Sequence, residues 1–403
     1  MNAASPPAGQ YLVGSAPPRA GYDELLRARA YLMRVAEPPA AALVALVAAC
    51  GPVAAATLVR DRRVPPEVAA ETEARCAVDR ADADIAAAAD VGARLVVPED
   101  EEWPRWPFAA LDRAAARGAV PAVAPLGLWV RGPGRLDRLT DRAVAIVGAR
   151  AATAYGEHVA CELAYGLADR GWSVVSGAAY GIDGAAHRGA LSADGATLAV
   201  VACGIDVPYP AGHAALLARV AESGAVVSEY PPGTPPARHR FLCRNRLIAA
   251  LAEGTVVVEA GARSGATNTA ATASALGRVV MAVPGPVTSA QSVGCHELLR
   301  SQRAVLVGRV EDVIESAGRL GTDLAADRSR PTRPTDGLDE AELRVHEALR
   351  PRAGRTSDWL AAESGIPVGR VRAALPRLEQ RGLAERCESG WRRSRPPATR
   401  GGA

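Results

Sequence analysis

The sequence predicts an α/β protein built on a Rossmann-like, doubly wound and mostly parallel sheet. Short runs rich in Val, Ile and Ala alternate with longer Ala- and Leu-rich segments between residues 143 and 308. Continuous apolar strands joined by crossover helices are typical of a parallel sheet that is covered on both faces. Helical periodicity before this region, and three helical runs with a hairpin after it, predict two smaller units.

The chain before the sheet divides into three segments. Residues 1–20 are rich in Pro, Ala and Gly and lack the apolar core of a signal peptide, which predicts a disordered tail. Residues 21–92 predict a helical domain, and residues 93–140 predict a connecting segment with two strand-like runs. Apolar residues at helical spacing, interrupted by prolines, predict helices over Glu24–Val35, Ala40–Ala49, Val53–Val59 and Glu67–Asp90.

Residues 141–318 form the predicted sheet domain. Its predicted strands are Val144–Val147, Ser173–Val175, Thr197–Ala202, Ala225–Ser228, Thr255–Val258, Val279–Val283 and Ala304–Val307. A linker rich in Pro, Asp, Arg and Thr follows over residues 319–337. Residues 338–395 predict a winged helix, because three helical runs precede a strand–turn–strand pattern, and residues 396–403 form a second tail.

Composition excludes several classes of protein. No apolar run reaches the roughly 18 residues of a membrane-spanning helix, so we expect no membrane association and a cytoplasmic location. Seven widely spaced cysteines without a CxxC pair argue against disulfides and zinc, and we expect no metal and no cofactor. All 47 basic residues are arginine. The lack of lysine excludes a Schiff base and a Walker-type phosphate loop.

The segment Arg240–Arg246 contains three arginines, an asparagine and one of the two phenylalanines of the chain. Guanidinium groups bind phosphate through paired hydrogen bonds, and a flat apolar ring offers a face on which a base can stack. The segment therefore indicates a site for phosphates and a base. The alternative is the start of a surface helix with one buried aromatic anchor.

Small and charged residues follow the predicted strands, where open parallel sheets bind their ligands. The first strand ends in Gly148-Ala149-Arg150, the second in Ser176-Gly177, and Ser264-Gly265 follows the fifth. Glycine lets a ligand approach the backbone, and the start of the next helix favours an anion. The first loop is not GxGxxG, which argues against a dinucleotide site. Together the loops predict one anion-binding edge.

Asp183 and His187 lie four residues apart after the second predicted strand and could share a helix face. One interpretation is a catalytic dyad. The favoured interpretation is an aspartate at a helix start beside a partly buried histidine.

Ordered motifs across the sheet domain resemble those of the DNA-processing protein A family, also called DprA or Smf. The motifs are Val144–Arg150, Ser176-Gly177 with Gly181-Ile182-Asp183 and His187, Cys203–Asp206 with Tyr209-Pro210, Ser228–Pro231, Phe241 with Arg244–Ile248, Val258–Ala260 with Ser264-Gly265, and Ala282–Gly285. The flanking segments resemble the rest of the family layout, a SAM-like helical domain before the sheet and a winged helix after it.

The resemblance implies a non-enzymatic protein, without catalytic residues, that binds single-stranded DNA. It implies protection of incoming strands during natural transformation, loading of the RecA recombinase, and a homodimer formed through the Rossmann-like domain. The family's DNA-binding roles fall on Arg150 and on the Phe241 motif. With the strand ends, the candidate DNA-binding residues are Gly148, Arg150, Ser176, Gly177, Phe241, Arg244, Asn245, Arg246, Ser264 and Gly265.

The chain departs from the family pattern at the edge of this expected pocket. Leu242 stands where a proline is usual, Ala266–Ala270 is more polar than the usual version, and Cys295-His296 alters a Gly-x-Asn motif. These differences put details of the pocket edge in question.

Two other functions stay open at the sequence level. A nucleotide hydrolase of the lysine-decarboxylase-like (LOG) class would share the sheet, although its Pro-Gly-Gly-x-Gly-Thr loop is absent. A winged-helix transcription regulator would prefer duplex DNA. The winged-helix arginines fit either a duplex-binding recognition helix or the solvated face of a partner-binding module; they are Arg370, Arg372, Arg377 and Arg381.

Overall fold

A computed structural model of the protein describes residues 19–118, 123–262, 264–319, 322–323 and 334–394. The predicted tails lie outside these ranges except for Arg19 and Ala20, which begin the first helix, and most of the predicted linker lies outside them too. The chain divides into two compact units, one ending at residue 325 and the other beginning at residue 326.

The described chain begins with five helices. They are α1 (Arg19–Val35), α2 (Ala41–Cys50), α3 (Pro52–Arg60), α4 (Pro66–Thr72) and α5 (Ala81–Asp90). The helix predicted over Glu67–Asp90 is wrong in its middle, because residues 73–77 form turns and residues 78–80 are irregular between α4 and α5. There the Asp79 carboxylate accepts a hydrogen bond from the Ala81 backbone at 3.2 Å, so a side chain competes with helical bonding.

Within the described ranges, the first unit holds one sheet of nine strands. They are β1 (Ala93–Val96), β2 (Leu128–Arg131), β3 (Ala143–Val147), β4 (Ser173–Ser176), β5 (Thr197–Val201), β6 (Ala225–Ser228), β7 (Gly254–Val257), β8 (Val279–Ala282) and β9 (Val305–Leu306). Their spatial order is β1-β2-β6-β5-β4-β3-β7-β8-β9. Strands β3 to β9 pair in parallel, and β2 joins β6 in antiparallel. The two strands of the predicted connecting segment therefore extend this sheet.

Further helices connect and cover the strands. They are α6 (Arg105–Ala116), α7 (Leu136–Leu139), α8 (Ala154–Asp169), α9 (Ile182–Ser192), α10 (Ala214–Ser223), α11 (Arg238–Ala250), α12 (Gly265–Ala275), α13 (Val293–Arg300) and α14 (Val310–Ala317). The chain runs outward from β3 to β6 and then returns to β7 on the other side of β3. Such a reversal of strand order opens a crevice at the carboxyl ends of the two central strands.

Alternate residues of the central strands pack into different cores, as the two-residue period of a strand requires. Ala145 and Val147 on β3 pack in the core that includes α6, α11, α12 and α13, whereas Val144 and Ile146 pack with α8, α9 and α14. A third core joins α1–α5 to the antiparallel side of the sheet and to α10. The predicted helical domain thus shares a core with the sheet. The doubly wound fold class is confirmed.

The second unit contains the predicted winged helix. Its elements are α15 (Glu340–Ala348), α16 (Ser357–Ser364), α17 (Val368–Gln380), β10 (Ala384–Cys387) and β11 (Gly390–Arg393). Asp339 and Glu342 form a reciprocal capping box at the start of α15, which satisfies backbone donors that a helix start leaves unpaired. Arg355 pairs in antiparallel with Trp391 and adds a third extended segment to the hairpin.

Candidate nucleic-acid interface

A groove of about 1010 Å³ lies at the carboxyl ends of β3 and β7, the reversal point of the sheet. Residues at or just before the starts of α8, α9, α11 and α12 line it, and helix starts carry partial positive charge. Seven of the ten predicted site residues line this groove: Gly148, Arg150, Phe241, Arg244, Asn245, Ser264 and Gly265.

Two glycines shape the groove in different ways. A Cβ atom on Gly148 would lie 2.5 Å from Ile182 Cγ1 and 2.9 Å from the Glu259 carbonyl oxygen, so no side chain fits there. Gly265, the first residue of α12, is exposed and has open space where a Cβ atom would stand. The first N–H groups of a helix have no acceptor within it, so this open helix start can donate to an anion.

Arg150 and Phe241 are in direct contact. The Arg150 guanidinium carbon lies 4.9 Å from the centroid of the Phe241 ring, in a cation–π arrangement. The ring of Tyr209 lies 5.3 Å from that of Phe241 at an interplanar angle of 39°. Phe241 is half-buried and Arg150 is exposed. The groove therefore presents an aromatic ring and a guanidinium side by side.

Arg244 is a buried cation in the lining of the groove. Its Nη1 donates to the Gly177 carbonyl oxygen at 2.8 Å and also to that of Val200. Its Nε is buried and, among the described residues, has no hydrogen-bond partner. Burial lowers the pKa of Arg244 while Asp183 opposes that shift, but a guanidinium remains protonated in proteins. Arg244 thus supplies a positive charge with donor capacity left over.

Asp183 lies in the first turn of α9 and lines the groove. Its carboxylate accepts a hydrogen bond from the Ala179 backbone N–H at 3.3 Å. Burial raises the pKa of Asp183 above its ordinary value, and the charge of Arg244 partly opposes the shift. Placement at a helix start and beside a guanidinium compensates a buried carboxylate.

His187 is fully buried and does not line the groove. Its Nδ1 lies 2.8 Å from Thr197 Oγ1, and that hydroxyl gives its only proton to the Val174 carbonyl oxygen at 2.7 Å. Nδ1 must therefore carry the proton, which leaves Nε2 unprotonated, buried and without a described partner. Burial lowers the pKa of His187 to about 3. No Asp183–His187 dyad opens onto the groove.

Three predicted residues lie outside the lining of the groove. Gly177 lines a narrow cleft that adjoins it. Ser176 is fully buried and donates to the Ile146 carbonyl oxygen at 2.7 Å, which makes it part of the sheet. Arg246 is buried in a two-bond ion pair with Glu229, at 2.8 and 2.6 Å. The expectation that Arg246 binds phosphate therefore needs correction, because its donors already hold a carboxylate.

Arg244 and Arg246 lie on different faces of helix α11. Successive side chains of α11 are about 100° apart, so Phe241, Arg244, Asn245 and Ile248 share the face that lines the groove. Arg246 lies on another face. Asn245 Nδ2 is 3.4 Å from Asn268 Oδ1 and 3.5 Å from the Gly265 carbonyl oxygen, so α11 contacts the start of α12.

Two groove residues escaped the sequence prediction of the site. Arg238 begins α11, is exposed, and among the described residues has no ion-pair partner. Tyr209 lies beyond β5 and reaches the groove from a separate loop. Arg238 belongs to the Arg-His-Arg run that leads into Phe241, a signal that the prediction did not use. Tyr209 belongs to the Tyr-Pro motif, which carries no sign of its contact with Phe241. Leu242, where the family usually has proline, is exposed in the groove lining.

The winged-helix arginines have mixed surroundings. Arg372 lies 3.6 Å from Asp358, and Arg377 lies 3.6 Å from Glu342. Arg381 donates to the Gly337 carbonyl oxygen at 2.9 Å, and Arg370 is exposed. Both arginines of these long pairs are exposed, which leaves them accessible.

Among the described residues, no group of three or more His, Cys, Asp or Glu side chains is placed to hold a metal ion. In the same ranges, no helix combines the length and apolar character needed to cross a membrane.

Known protein families and relatives match this chain. A family model for DNA recombination-mediator protein A matches residues 94–318, and a model for the DprA winged helix domain matches residues 329–390. The chain is 56% identical over 370 residues to the putative DNA processing protein DprA of Mycobacterium tuberculosis, which covers 92% of this chain and 95% of the relative. It is 36% identical over 274 residues to protein Smf of Escherichia coli, and this match covers 67% of this chain and 72% of the relative.

A solved structure agrees with these matches. The X-ray structure of DNA processing protein A from Streptococcus pneumoniae superposes with a TM-score of 0.57 at 26% identity, covering 76% of this chain and 100% of that one. The first family model alone spans more than half of the chain and includes the sheet except for Ala93, the first residue of β1. The chain therefore belongs to the DNA recombination-mediator protein A family, the DprA/Smf group of DNA-processing proteins.

Proposed function

We propose that the protein binds single-stranded DNA in the groove, without strong sequence preference and without catalysing a reaction. The observation that carries this proposal is the stacking of Arg150 on Phe241 beside the buried Arg244, at an edge where helix starts converge. Phosphates and bases alternate along a single strand, and the groove offers a cation and a ring within 4.9 Å of each other.

Physical chemistry favours a single strand over a duplex. Stacking on an aromatic side chain contributes roughly 1–3 kcal/mol per base and tolerates every base. The bases of a duplex are paired and stacked on one another, so a half-buried ring such as Phe241 cannot reach their faces without opening the helix. Arg150, Arg238 and Arg244 would bind phosphates, which carry no sequence information.

The groove supports binding better than catalysis. Asp183 is buried and feels the charge of Arg244, and His187 makes its hydrogen bond inside the fold. A general base must lie within hydrogen-bond reach of the proton that it takes. The proposal therefore assigns no chemical step to these groups.

Family membership supports three further parts of the proposal. The protein would protect incoming strands in the cytoplasm during natural transformation, assist RecA loading onto them, and form a homodimer through the sheet domain. Light scattering of the purified chain tests the dimer, and the expected result is twice the mass of one 403-residue chain. RecA filament assembly on single strands, followed with and without the protein, tests the loading role. An unchanged assembly rate would contradict it.

Binding of the protein to single- and double-stranded oligonucleotides tests the central part of the proposal, which is single-strand binding in the groove. Phe241→Ala should weaken single-strand binding by roughly 1–3 kcal/mol. The matched control is Trp106→Ala, which removes an exposed ring outside the groove. A preference for duplex DNA would instead favour a transcription regulator, and release of a base from a nucleotide would favour a hydrolase.

A further inference from the structure

A second exposed aromatic ring stands beside the groove. Tyr180 is 49% exposed and lines a narrow cleft together with Gly177, Tyr209, Phe241 and two of the three groove arginines, Arg150 and Arg244. Tyr209 lines both this cleft and the groove, so the two surfaces are continuous. Exposed aromatic rings that cluster at one place on a surface mark a binding site more often than scattered ones.

Its surroundings fix the ring of Tyr180. The ring meets the edge of His213, with centroids 4.8 Å apart at 68°, and a Cβ atom on Gly212 would lie 2.6 Å from the Tyr180 hydroxyl. His213 Nδ1 is in turn 3.0 Å from the Ala178 carbonyl oxygen. Gly181, the next residue, has a φ of 72° and no room for a side chain against the Ala149 carbonyl. A ring held in place in the free protein loses little entropy when a base stacks on it.

A cation lies beyond this ring. A Cβ atom on Gly184 would be 2.6 Å from His213 Cε1 and 3.2 Å from Arg188 Nη1, so both side chains converge on that glycine. The Arg188 side chain is 46% exposed, and its contact with Glu157 is 4.0 Å long. Such an exposed and distant ion pair is weak, which leaves Arg188 available to a phosphate.

We propose that the bound single strand continues out of the groove along this cleft, with a base stacked on Tyr180 and a phosphate bound by Arg188. This subsite rests on the proposed function of the groove. Like the groove, where Arg150 stacks on Phe241, the subsite offers an aromatic ring and a guanidinium, here connected through His213. The substrate class is a single strand of DNA longer than the groove alone can hold.

A length series of oligothymidylates tests the subsite, from about 4 to about 16 nucleotides. Tyr180→Ala should leave the shortest strands bound as in the wild type and weaken the longest ones by roughly 5- to 150-fold. Tyr180→Phe should restore long-strand binding, because it keeps the ring. Tyr165→Ala is the matched control, since that tyrosine is 47% exposed on α8 and lines neither surface.

Arg188 gives an independent readout. Arg188→Gln should flatten the salt dependence of long-strand binding by about 0.7 in the slope of log K against log salt, with no change for the shortest strands. Wild-type affinity of Tyr180→Ala and an unchanged slope of Arg188→Gln at every length would overturn the subsite. Even then, binding of the shortest strands that Phe241→Ala weakens would still support DNA binding in the groove. Failure of the wild type to bind any length would instead reject the proposed function.

Discussion

Arg244 Nη1 donates to the Gly177 carbonyl oxygen at 2.8 Å, and a Cβ atom on Gly177 would lie 2.5 Å from that same nitrogen. The end of β4 therefore holds the guanidinium in place through one carbonyl and through the lack of a side chain. This contact explains why a glycine that does not line the groove still matters to it. A buried arginine keeps its position only when its neighbours satisfy its donors.

Gly177→Ala should displace Arg244 from the groove. The added methyl group would contact three guanidinium atoms at 2.5–2.7 Å, and overpacking of this kind costs about 1–3 kcal/mol of stability. We expect single-strand affinity to fall by roughly tenfold or more, because charge-assisted hydrogen bonds contribute about 1.5–3 kcal/mol. Thermal unfolding and fluorescence anisotropy measure the two effects. Gly369→Ala, at a helical position with open space, should leave DNA affinity unchanged and should not lower stability.

Arg246 should behave as a structural residue. Arg246→Met leaves the Glu229 carboxylate buried without its partner, which costs about 3–5 kcal/mol in comparable cases. The double variant Glu229→Leu, Arg246→Met should recover most of that stability in urea denaturation. The folded protein should keep the wild-type salt dependence of DNA binding. A stable Arg246→Met protein with a flatter salt dependence would show that Arg246 binds phosphate after all.

Stability should fall as the pH falls below about 6.5, because of His187. The unfolded chain takes up a proton near pH 6.5, whereas burial lowers the pKa of His187 in the folded protein to about 3. The unfolded state thus binds more protons between these values, and stability is lost as the pH falls. From pH 6.5 to pH 5 the loss is about 2 kcal/mol, at about 1.4 kcal/mol per unit.

His187→Asn separates this effect from the others. Asparagine can still donate to Thr197 but does not titrate, so the stability of this variant should depend less steeply on pH between pH 6.5 and pH 5 than that of the wild type. The slope that is left comes from His346, whose pKa is also lowered by burial. The Glu37 carboxylate, whose pKa three cationic neighbours lower to about 2 against the effect of its burial, loses its contribution only below about pH 4.5. His158→Gln changes an exposed histidine and should keep the wild-type profile. The same slope in His187→Asn as in the wild type would contradict this assignment.

The strands and their end loops followed from the sequence because strands of a parallel sheet bring their carboxyl ends together. Arg150, Ser264 and Gly265 therefore meet at one groove although more than a hundred residues separate the first from the others. The sequence predicted that the Arg240–Arg246 segment takes part in the site, but not which of its arginine side chains enters the groove. A helix rotates its side chains by about 100° per residue, and this rotation sends Arg244 into the groove and Arg246 to Glu229.

Contacts between loops that are far apart in the chain could not be predicted from the sequence. Tyr209 meets Phe241 only because the loop after β5 folds over the start of α11, and spacing along the chain carries no sign of that. The shared core of α1–α5 with the sheet was equally hidden, because amphipathic helices show that they bury a face but not against what.

The salt dependence of single-strand binding tests the central claim most directly. For strands short enough to occupy the groove alone, the three groove cations, Arg150, Arg238 and Arg244, predict a slope of log K against log salt of about −2, at about 0.7 per phosphate. Arg150→Gln should bring the slope to about −1.4, with folding checked by thermal unfolding. A wild-type slope near zero, or an unchanged slope in both Arg150→Gln and Arg238→Gln, would contradict DNA binding in this groove.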